Sequence, residues 1–394
     1  LSFENTRFVS KEYFSQLPET RKPRNGDLLF TVTGSYGIPV LIDSDDKFCF
    51  QRHIAIVRPC TISNRYLYVI LGSSYVKSIC DAKATGTAQK TVGLATLREL
   101  LIPVAPYKEQ MQIYAQTQDA LSIVDSVSSD KEDLLNIIES AKTKILDLAI
   151  RGQLVPQDPT DEPASVLLER IRAEKEELIK QGKIKRDKKE SVIFRGEDNS
   201  YYEKMADGKL HCLDNQLPFE LPDGWEWCNL SMIGTTNIGL TYRPTDIEPG
   251  GIMVLRSCNI VNDQVDLSGL VRVKTTVREN QFAQKNNILI CARNGSRSLV
   301  GKCALIPDLR EPASFGAFMA IYRTEYFEFI VHYLRSSFFR SVFDDSNSTA
   351  INQLTQDMLK RAIVPLPPLS EQRRIVEAIG AMLFELNQIE KSLS

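Results

Sequence analysis

A chain of 394 residues, 43% hydrophobic and 25% charged, has the composition of an ordinary globular protein and the length for two or three domains. It holds no apolar run of about 18 residues or more, so no membrane-spanning helix is expected. A net charge of −2 and a pI near 6.1 exclude a globally basic nucleic-acid binder; any nucleic-acid face must be local.

From the first residue to about Pro103 the pattern predicts short strands separated by turns. Asn25-Gly26-Asp27 is a turn, and Leu28-Leu29-Phe30-Thr31-Val32-Thr33 is apolar and β-branched enough for a strand. Gly34-Ser35-Tyr36-Gly37 suits a tight reversal. Ile38-Pro39-Val40-Leu41-Ile42 and Ile54-Ala55-Ile56-Val57 are the next strands, and Tyr66 to Cys80 has helical spacing. After Pro106 comes the clearest element. Positions 113, 117, 120, 124, 127, 131, 134, 138, 141, 145 and 148 step alternately by four and three, and nine of the eleven are apolar. That is a coiled-coil seam on a helix of roughly 60 Å, carried by Ile113, Val124, Val127, Leu134, Ile138, Ile145 and Leu148. Gly152 and Pro156 end it. Residues 151–216 read as a linker containing one charged helix, Ala164 to Lys180, and a basic run, Lys183-Ile184-Lys185-Arg186-Asp187-Lys188-Lys189, with the character of a solvated face.

A second globular stretch, 217–365, balances 15 Lys/Arg against 15 Asp/Glu. Strands are predicted at 288–292, 303–306 and 319–322 and a helix at Phe327 to Phe339, in the same order as in the first stretch. The chain then repeats itself. Ile102-Pro103-Val104-Ala105-Pro106-Tyr107-Lys108-Glu109-Gln110 is answered by Val364-Pro365-Leu366-Pro367-Pro368-Leu369-Ser370-Glu371-Gln372, at an offset of 365 − 103 = 262 that holds without a gap from Thr87/Thr349 onward. A second seam follows at Ile375, Ile379, Met382, Leu386 and Ile389. Two seams in one chain predict that the helices pack on each other. A repeat this long is a duplicated module, since solenoid units run to about 20–50 residues.

No catalytic constellation emerges. The phosphate loop G-x-x-x-x-G-K-[ST], the dinucleotide turn G-x-G-x-x-G and an Asn/Asp-Pro-Pro-aromatic motif are all missing. His53, His211 and His332 lack triad or metal spacing, and Asp344-Asp345 reads as the end of a helix. The eight Cys are scattered without C-x-x-C pairs, as expected of reduced thiols in a cytoplasmic protein. A binding protein is the expectation.

The twice-written Pro-x-x-Pro corner with Glu-Gln and Ile, together with Arg151-Gly152-Gln153-Leu154-Val155-Pro156 and Leu221-Pro222-Asp223-Gly224-Trp225-Glu226-Trp227, resembles the specificity subunit of Type I restriction–modification enzymes over essentially the whole chain. The resemblance implies an α+β protein with two target recognition domains joined by two long antiparallel coiled-coil helices. Each domain would read one half of a split double-stranded DNA target, with the helices as the ruler. Partner methyltransferase (M) and restriction (R) subunits would carry methylation and cleavage, together with S-adenosylmethionine, Mg and ATP; this chain would bind no cofactor or metal and no membrane. The expected domains are 1–103 (first recognition domain, incomplete), 104–150 (spacer helix), 151–216 (linker), 217–365 (second recognition domain) and 366–394 (second spacer helix). Under the offset, Leu1 aligns near residue 263. The first domain is therefore expected to lack the counterpart of residues 217–262, as a truncated domain would.

Base-reading residues differ among recognition domains, so DNA-binding candidates rest on side-chain chemistry. They are Ser35, Tyr36, Gln51, Arg52, His53, Gln89 and Lys90 in the first domain, and Tyr242, Arg243, Arg256, Asn259, Arg293, Asn294, Ser296 and Arg297 in the second. Arg and Asn pair bidentately with guanine and adenine edges. The competing expectation is a non-catalytic module on a helical stalk that binds protein or glycan.

Overall fold

The computed structural model describes residues 6–51, 53–86, 89–184, 191–205, 207–214, 217–344 and 353–393. Arg52, the repeat's starting pair Thr87/Thr349, residues 185–189 of the basic run and Asp345 lie outside them. The chain divides into two compact units, Leu1–Glu132 and Asp133–Ser394.

In the first unit a short helix, α1 (Lys11–Gln16), begins at Ser10, whose hydroxyl accepts from the Tyr13 N–H at 3.1 Å. Strand β1 (Leu28–Thr31) lies between β2 (Pro39–Leu41) and β3 (Ile54–Val57), antiparallel to both. Leu28, Phe30 and Val32 form one core with Tyr66, Leu67, Ile70 and Leu71 of α2 (Asn64–Leu71) and Val76 and Cys80 of α3 (Ser74–Lys83). The single helix expected over Tyr66 to Cys80 is two. Ser73 takes an extended conformation after Gly72, and its hydroxyl caps the second helix by accepting from the Val76 N–H. After α4 (Leu94–Arg98) and the proline corner comes α5 (Tyr107–Ile150), 44 residues long, within which the boundary between the units falls.

In the second unit α6 (Ala164–Lys180) follows. The expected linker then proves to be folded. Strands β4 (Ser191–Arg195), β5 (Tyr201–Met205) and β6 (Leu210–Cys212) form an antiparallel sheet. Ile193 and Leu213 pack against Trp227. The alternation in Ser191-Val192-Ile193 buries every second residue, a period-2 signal short enough to be masked by the surrounding charge.

Strand β7 (Glu226–Asn229) leads through the single turn α7 (Leu230–Ile233) to β8 (Thr235–Ile238). Next come β9 (Ile247–Leu255), β10 (Ile260–Val261), β11 (Gln264–Val265), β12 (Val271–Val273), β13 (Ile288–Cys291), β14 (Cys303–Leu305), β15 (Ala313–Phe315) and β16 (Met319–Arg323). A six-stranded sheet runs β10-β11-β14-β13-β16-β8, and a second sheet runs β12-β9-β15.

β13 is buried on both faces because successive side chains point opposite ways. Ile288 and Ile290 join a core with α8 (Phe327–Arg335), while Leu289 and Cys291 face Met253, Leu255 and Phe315 of the second sheet. The helix expected to Phe339 breaks at Ser336, which starts α9 (Ser337–Asp344) by accepting from the Phe339 N–H. After α10 (Gln356–Arg361), β17 (Ile363–Leu366) pairs with β7 and leads into α11 (Leu369–Leu393). Ala149 and Ile150 of α5 share a core with Ile375 and Ile379 of α11.

Candidate nucleic-acid interface

The two units contain one hydrogen-bonded frame twice. In the first, Leu28, Leu29 and Phe30 stand opposite Leu41, Val40 and Pro39 on one side and Val57, Ile56 and Ala55 on the other. In the second, Ile288, Leu289 and Ile290 stand opposite Leu305, Ala304 and Cys303, and opposite Tyr322, Ile321 and Ala320. The turn before each central strand is the same. The Gly26 N–H donates to Ile42 O at 2.7 Å and the Asn286 N–H to Ile306 O at 3.0 Å, both residues at positive φ. An acidic or amide side chain then closes the turn: Arg24 N–H to Asp27 Oδ2 at 2.9 Å, Gln284 N–H to Asn287 Oδ1 at 3.1 Å. A guanidinium clamps the preceding segment. Arg58 Nη2 donates to the carbonyls of Glu19 and Lys22, and Arg323 Nη2 to those of Asn280 and Phe282. Each frame ends at a buried glutamine that ties the proline corner to its helix. Gln110 Nε2 donates to Ala105 O at 2.7 Å, and Gln372 Nε2 to Pro367 O at 2.9 Å.

Beyond the central strands lie the loops that carry the candidates. In the first unit the Gly34 N–H donates to Lys90 O at 3.0 Å and the Val32 N–H to His53 O at 2.9 Å. Three separate stretches meet there. Ser35, Gln51, Gln89 and Lys90 are exposed and His53 is half-buried. Tyr36 is a correction: it belongs to the core, its hydroxyl donating to Asp81 at 2.8 Å and its ring lying under Lys77 Nζ at 4.2 Å.

In the second unit Asn294 Nδ2 donates to Ser257 Oγ at 3.3 Å and brings the loop of Arg293 and Arg297 to the turn of Arg256. Arg293, Ser296 and Arg297 are exposed. The guanidinium of Arg293 lies over the Phe318 ring at 5.5 Å. Asn294 also accepts from the Ser296 N–H at 3.0 Å, so its amide is held on both sides. Asn259 is a second correction. It is buried, and its amide holds the following turn by donating to Asp266 O at 3.0 Å and Ser268 O at 3.2 Å. Arg256 is half-buried, with Nη2 on Gly269 O at 3.4 Å. Tyr242 packs with Val254 and Val273, and exposed Arg243 opens a turn through its N–H to Asp246 at 2.7 Å.

The helix-seam residues divide. Ile138, Ile375 and Ile379 are buried; Ile113, Ile145, Leu148 and Leu386 are half-buried. Val124 (58% exposed), Val127 (61%), Leu134, Met382 and Ile389 are exposed, so the expected seam is covered only in part. The heptad pattern in α5 extends beyond the stretch that shares a core with α11. Near that core, Lys142 Nζ meets Glu390 at 2.7 Å. Burial disfavours the Lys142 ammonium, but the Glu390 and Glu139 carboxylates outweigh it and hold its pKa above the usual value.

His332, half-buried on α8 with its Nδ1 out of reach of solvent, is pushed down to about 4 by desolvation and the neighbouring Arg335, which keeps it neutral. Among the described residues no cluster of His, Cys, Asp or Glu has the arrangement of a metal site, and no helix is long and apolar enough to cross a membrane.

The family model of the Type I restriction modification DNA specificity domain matches residues 2–136 and again 222–393, most of the chain. The chain belongs to this family. This specificity-domain chain is 30% identical to the Type I restriction enzyme EcoAI specificity subunit of Escherichia coli over 389 residues, 86% of this chain and 63% of that protein. To the EcoEI specificity subunit of Escherichia coli it is 29% identical, over 72% of this chain and 45% of that protein. It thus spans less than two thirds of the length of these curated relatives. Two solved structures share its two-domain, long-helix architecture at 17% identity, which speaks to fold alone. One, from work on complex assembly and conformational transition of the type I R-M system, gives a TM-score of 0.60 over 96% of this chain and 80% of its own. The other, the HsdS subunit from Thermoanaerobacter tengcongensis, gives 0.51 over 96% and 78%.

Sequence reasoning on the specificity-domain chain missed four positions at the ends of the central strands: Thr33, Thr91, Phe318 and Gln353. Thr33 bridges to Thr91, and Arg293 to Gln353. The pair Thr91/Gln353 was within reach, since 353 − 91 = 262 is the repeat offset. Phe318 carried no signal, because one aromatic residue in the apolar run Ala317-Phe318-Met319-Ala320 reads as core.

Proposed function

We propose that this chain is the DNA sequence-recognition subunit of a Type I restriction–modification complex, with each unit reading one half of a bipartite target. The observation that carries the reading is the doubled frame: one set of backbone hydrogen bonds built twice, with different polar side chains at its two open ends. Family membership supplies the class of ligand, double-stranded DNA. The recognition domains are those at 1–103 and 217–365, the second extended by the sheet formed within 191–214. The duplication follows the 262-residue offset from Thr91/Gln353 onward, with small insertions and deletions between the strands before it, since 288 − 28 = 260 and 322 − 57 = 265.

The helices at 104–150 and 366–394 act as an antiparallel coiled-coil spacer. In support, Lys142 reaches Glu390 near the end of α11, whereas Gly152, just past α5, abuts Trp225, which donates to Glu371 near the start of α11. Rising numbers in α5 thus meet falling numbers in α11. The apolar seam positions left exposed, Val124, Val127, Met382 and Ile389, suit docking of the methyltransferase subunits. Methylation and cleavage reside in M and R subunits, which hold S-adenosylmethionine, Mg and ATP; this chain contributes position, not chemistry.

With a neutral surface overall, DNA affinity comes from the loop cations Lys90, Arg243, Arg256, Arg293 and Arg297, so binding weakens with salt in proportion to the phosphates contacted. The test is to co-express the chain with its methyltransferase subunits and map methylated sites in the host genome. A two-part methylated motif that disappears when this chain is omitted is the expected result. Methylation independent of the chain overturns the reading.

A further inference from the structure

Corresponding backbone bonds identify corresponding residues in the two frames without reference to side chains. In the first unit the Val32 N–H donates to His53 O at 2.9 Å, the Val92 N–H to Val32 O at 2.8 Å, and Thr33 bridges to Thr91. In the second, the Ala292 N–H donates to Phe318 O at 2.9 Å, the Leu354 N–H to Ala292 O at 2.7 Å, and Arg293 bridges to Gln353. Thr33, His53 and Thr91 therefore occupy the places of Arg293, Phe318 and Gln353.

The residues next to the bridged ones keep their character: Val32, just before Thr33, answers Ala292, and Val92, just after Thr91, answers Leu354, all buried. At the three outer places the character changes completely. The first unit presents two hydroxyls, with Thr91 Oγ1 to Thr33 Oγ1 at 3.3 Å, beside an imidazole, all half-buried. The second presents an exposed guanidinium resting on a Phe ring that is itself 60% exposed, beside an exposed carboxamide. A phenyl ring this open adds nothing to the core, and stacking against it limits the directions open to the guanidinium. The central strand below is rigid, buried on both faces, so the trio stands on a fixed base rather than on a free loop.

Resting on the reading of the chain as a DNA reader, we propose that these equivalent trios are specificity-determining: Arg293, Phe318 and Gln353 select bases in one half-site, and Thr33, His53 and Thr91 in the other. The chemistry matches major-groove base edges. A guanidinium pairs with guanine O6 and N7, a carboxamide with adenine N6 and N7, and Thr or Phe meets the thymine methyl.

The test is a methylation map from cells carrying the full chain with its methyltransferase subunits, comparing wild type with Arg293→Thr/Phe318→His/Gln353→Thr and with the single change Gln353→Ala. Every changed side chain is exposed, and the single change guards against misfolding of the triple variant. The expected result is a loss of base preference of about tenfold or more at one or more positions in one half of the motif, with the other half and the spacing retained. Thr33→Arg/Thr91→Gln is expected to alter the opposite half. An unchanged motif in both the triple and the single variant, or relaxation of both halves together, overturns the assignment while leaving the DNA-reading function standing. A wild-type chain that directs no bipartite motif removes the function reading and this assignment together.

Discussion

The first and second units solve the same local problem with different partners. Asp27 and Asn287 close equivalent turns beneath equivalent arginines. In the first unit the Asp27 carboxylate forms an ion pair with Arg58 at 3.0 Å. In the second the partner is neutral, and Arg323 turns instead to the Asn237 amide on β8, where burial lowers its pKa. Glu109 and Glu371 follow equivalent proline corners, yet Glu109 is exposed and Glu371 is 1% exposed under Trp225, whose Nε1 donates to it at 3.0 Å. The shared frame is thus a backbone device that tolerates either a charged or a neutral closure. What surrounds it decides which groups are buried.

The comparison is broken most forcefully at Trp225. This ring lies in the core and meets Phe329 edge-on at 6.4 Å. Trp225→Ala is expected to cost about 3–5 kcal/mol and to lower hydrogen-exchange protection in β7, β17 and α11 while leaving β1 to β3 unchanged; an equal loss in both units contradicts the separation drawn here.

The arginine clamps come next. Arg58→Met strands a carboxylate that is largely buried and is expected to cost about 2 kcal/mol, discounted for the partial exposure of Arg58. Arg323→Met removes charge-assisted hydrogen bonds to neutral acceptors but strands no charge, so it should cost less, about 1.5 kcal/mol. Adding Asp27→Asn to Arg58→Met should recover part of the loss, because it supplies the amide that Asn287 already provides. Chemical denaturation of the three variants checks the order.

Smaller is the effect of pH at Glu371. Burial raises the Glu371 carboxyl above its ordinary 4.5, so the folded state holds the proton more tightly than the unfolded one. Its contribution to stability is full below pH 4.5 and is lost as pH rises through the raised value. Glu371→Gln keeps an acceptor for Trp225 and is expected to raise Tm at pH 7, with the advantage vanishing below about pH 4.5. Glu109→Gln, on an exposed side chain, should leave Tm at pH 7 within the small range usual for surface substitutions. The smallest effect is at the helix pair. Lys142→Ala should cost less than about 1 kcal/mol, and less again at high salt, because the pair with Glu390 is partly exposed.

Much of the fold was legible because its signals are periodic. The long seam gave α5, the charged stripe gave α6 with both its ends, and the repeated proline corner gave the doubling. The sheet at β4 to β6 was not legible, since its strands are short and flanked by charge. Both helix breaks, at Ser73 and Ser336, hide in single serines that cap the next helix. The site was legible only as chemistry. Arg293 and Lys90 stand in the open as expected, but nothing local distinguishes Asn294, tied to Ser257, from a free amide. Tyr36 and Asn259 were misplaced for the same reason: a polar tip says nothing about the residue 45 positions away to which Tyr36 bonds. Phe318 becomes visible only when the two frames are set side by side.

Selection of bound sequences from a randomised duplex library, by the full chain assembled with the methyltransferase subunits proposed as its partners, tests the central claim most directly. Two frames of one design imply two short constant blocks separated by a run of fixed length without base preference. One contiguous block, or no preferred sequence, would contradict it.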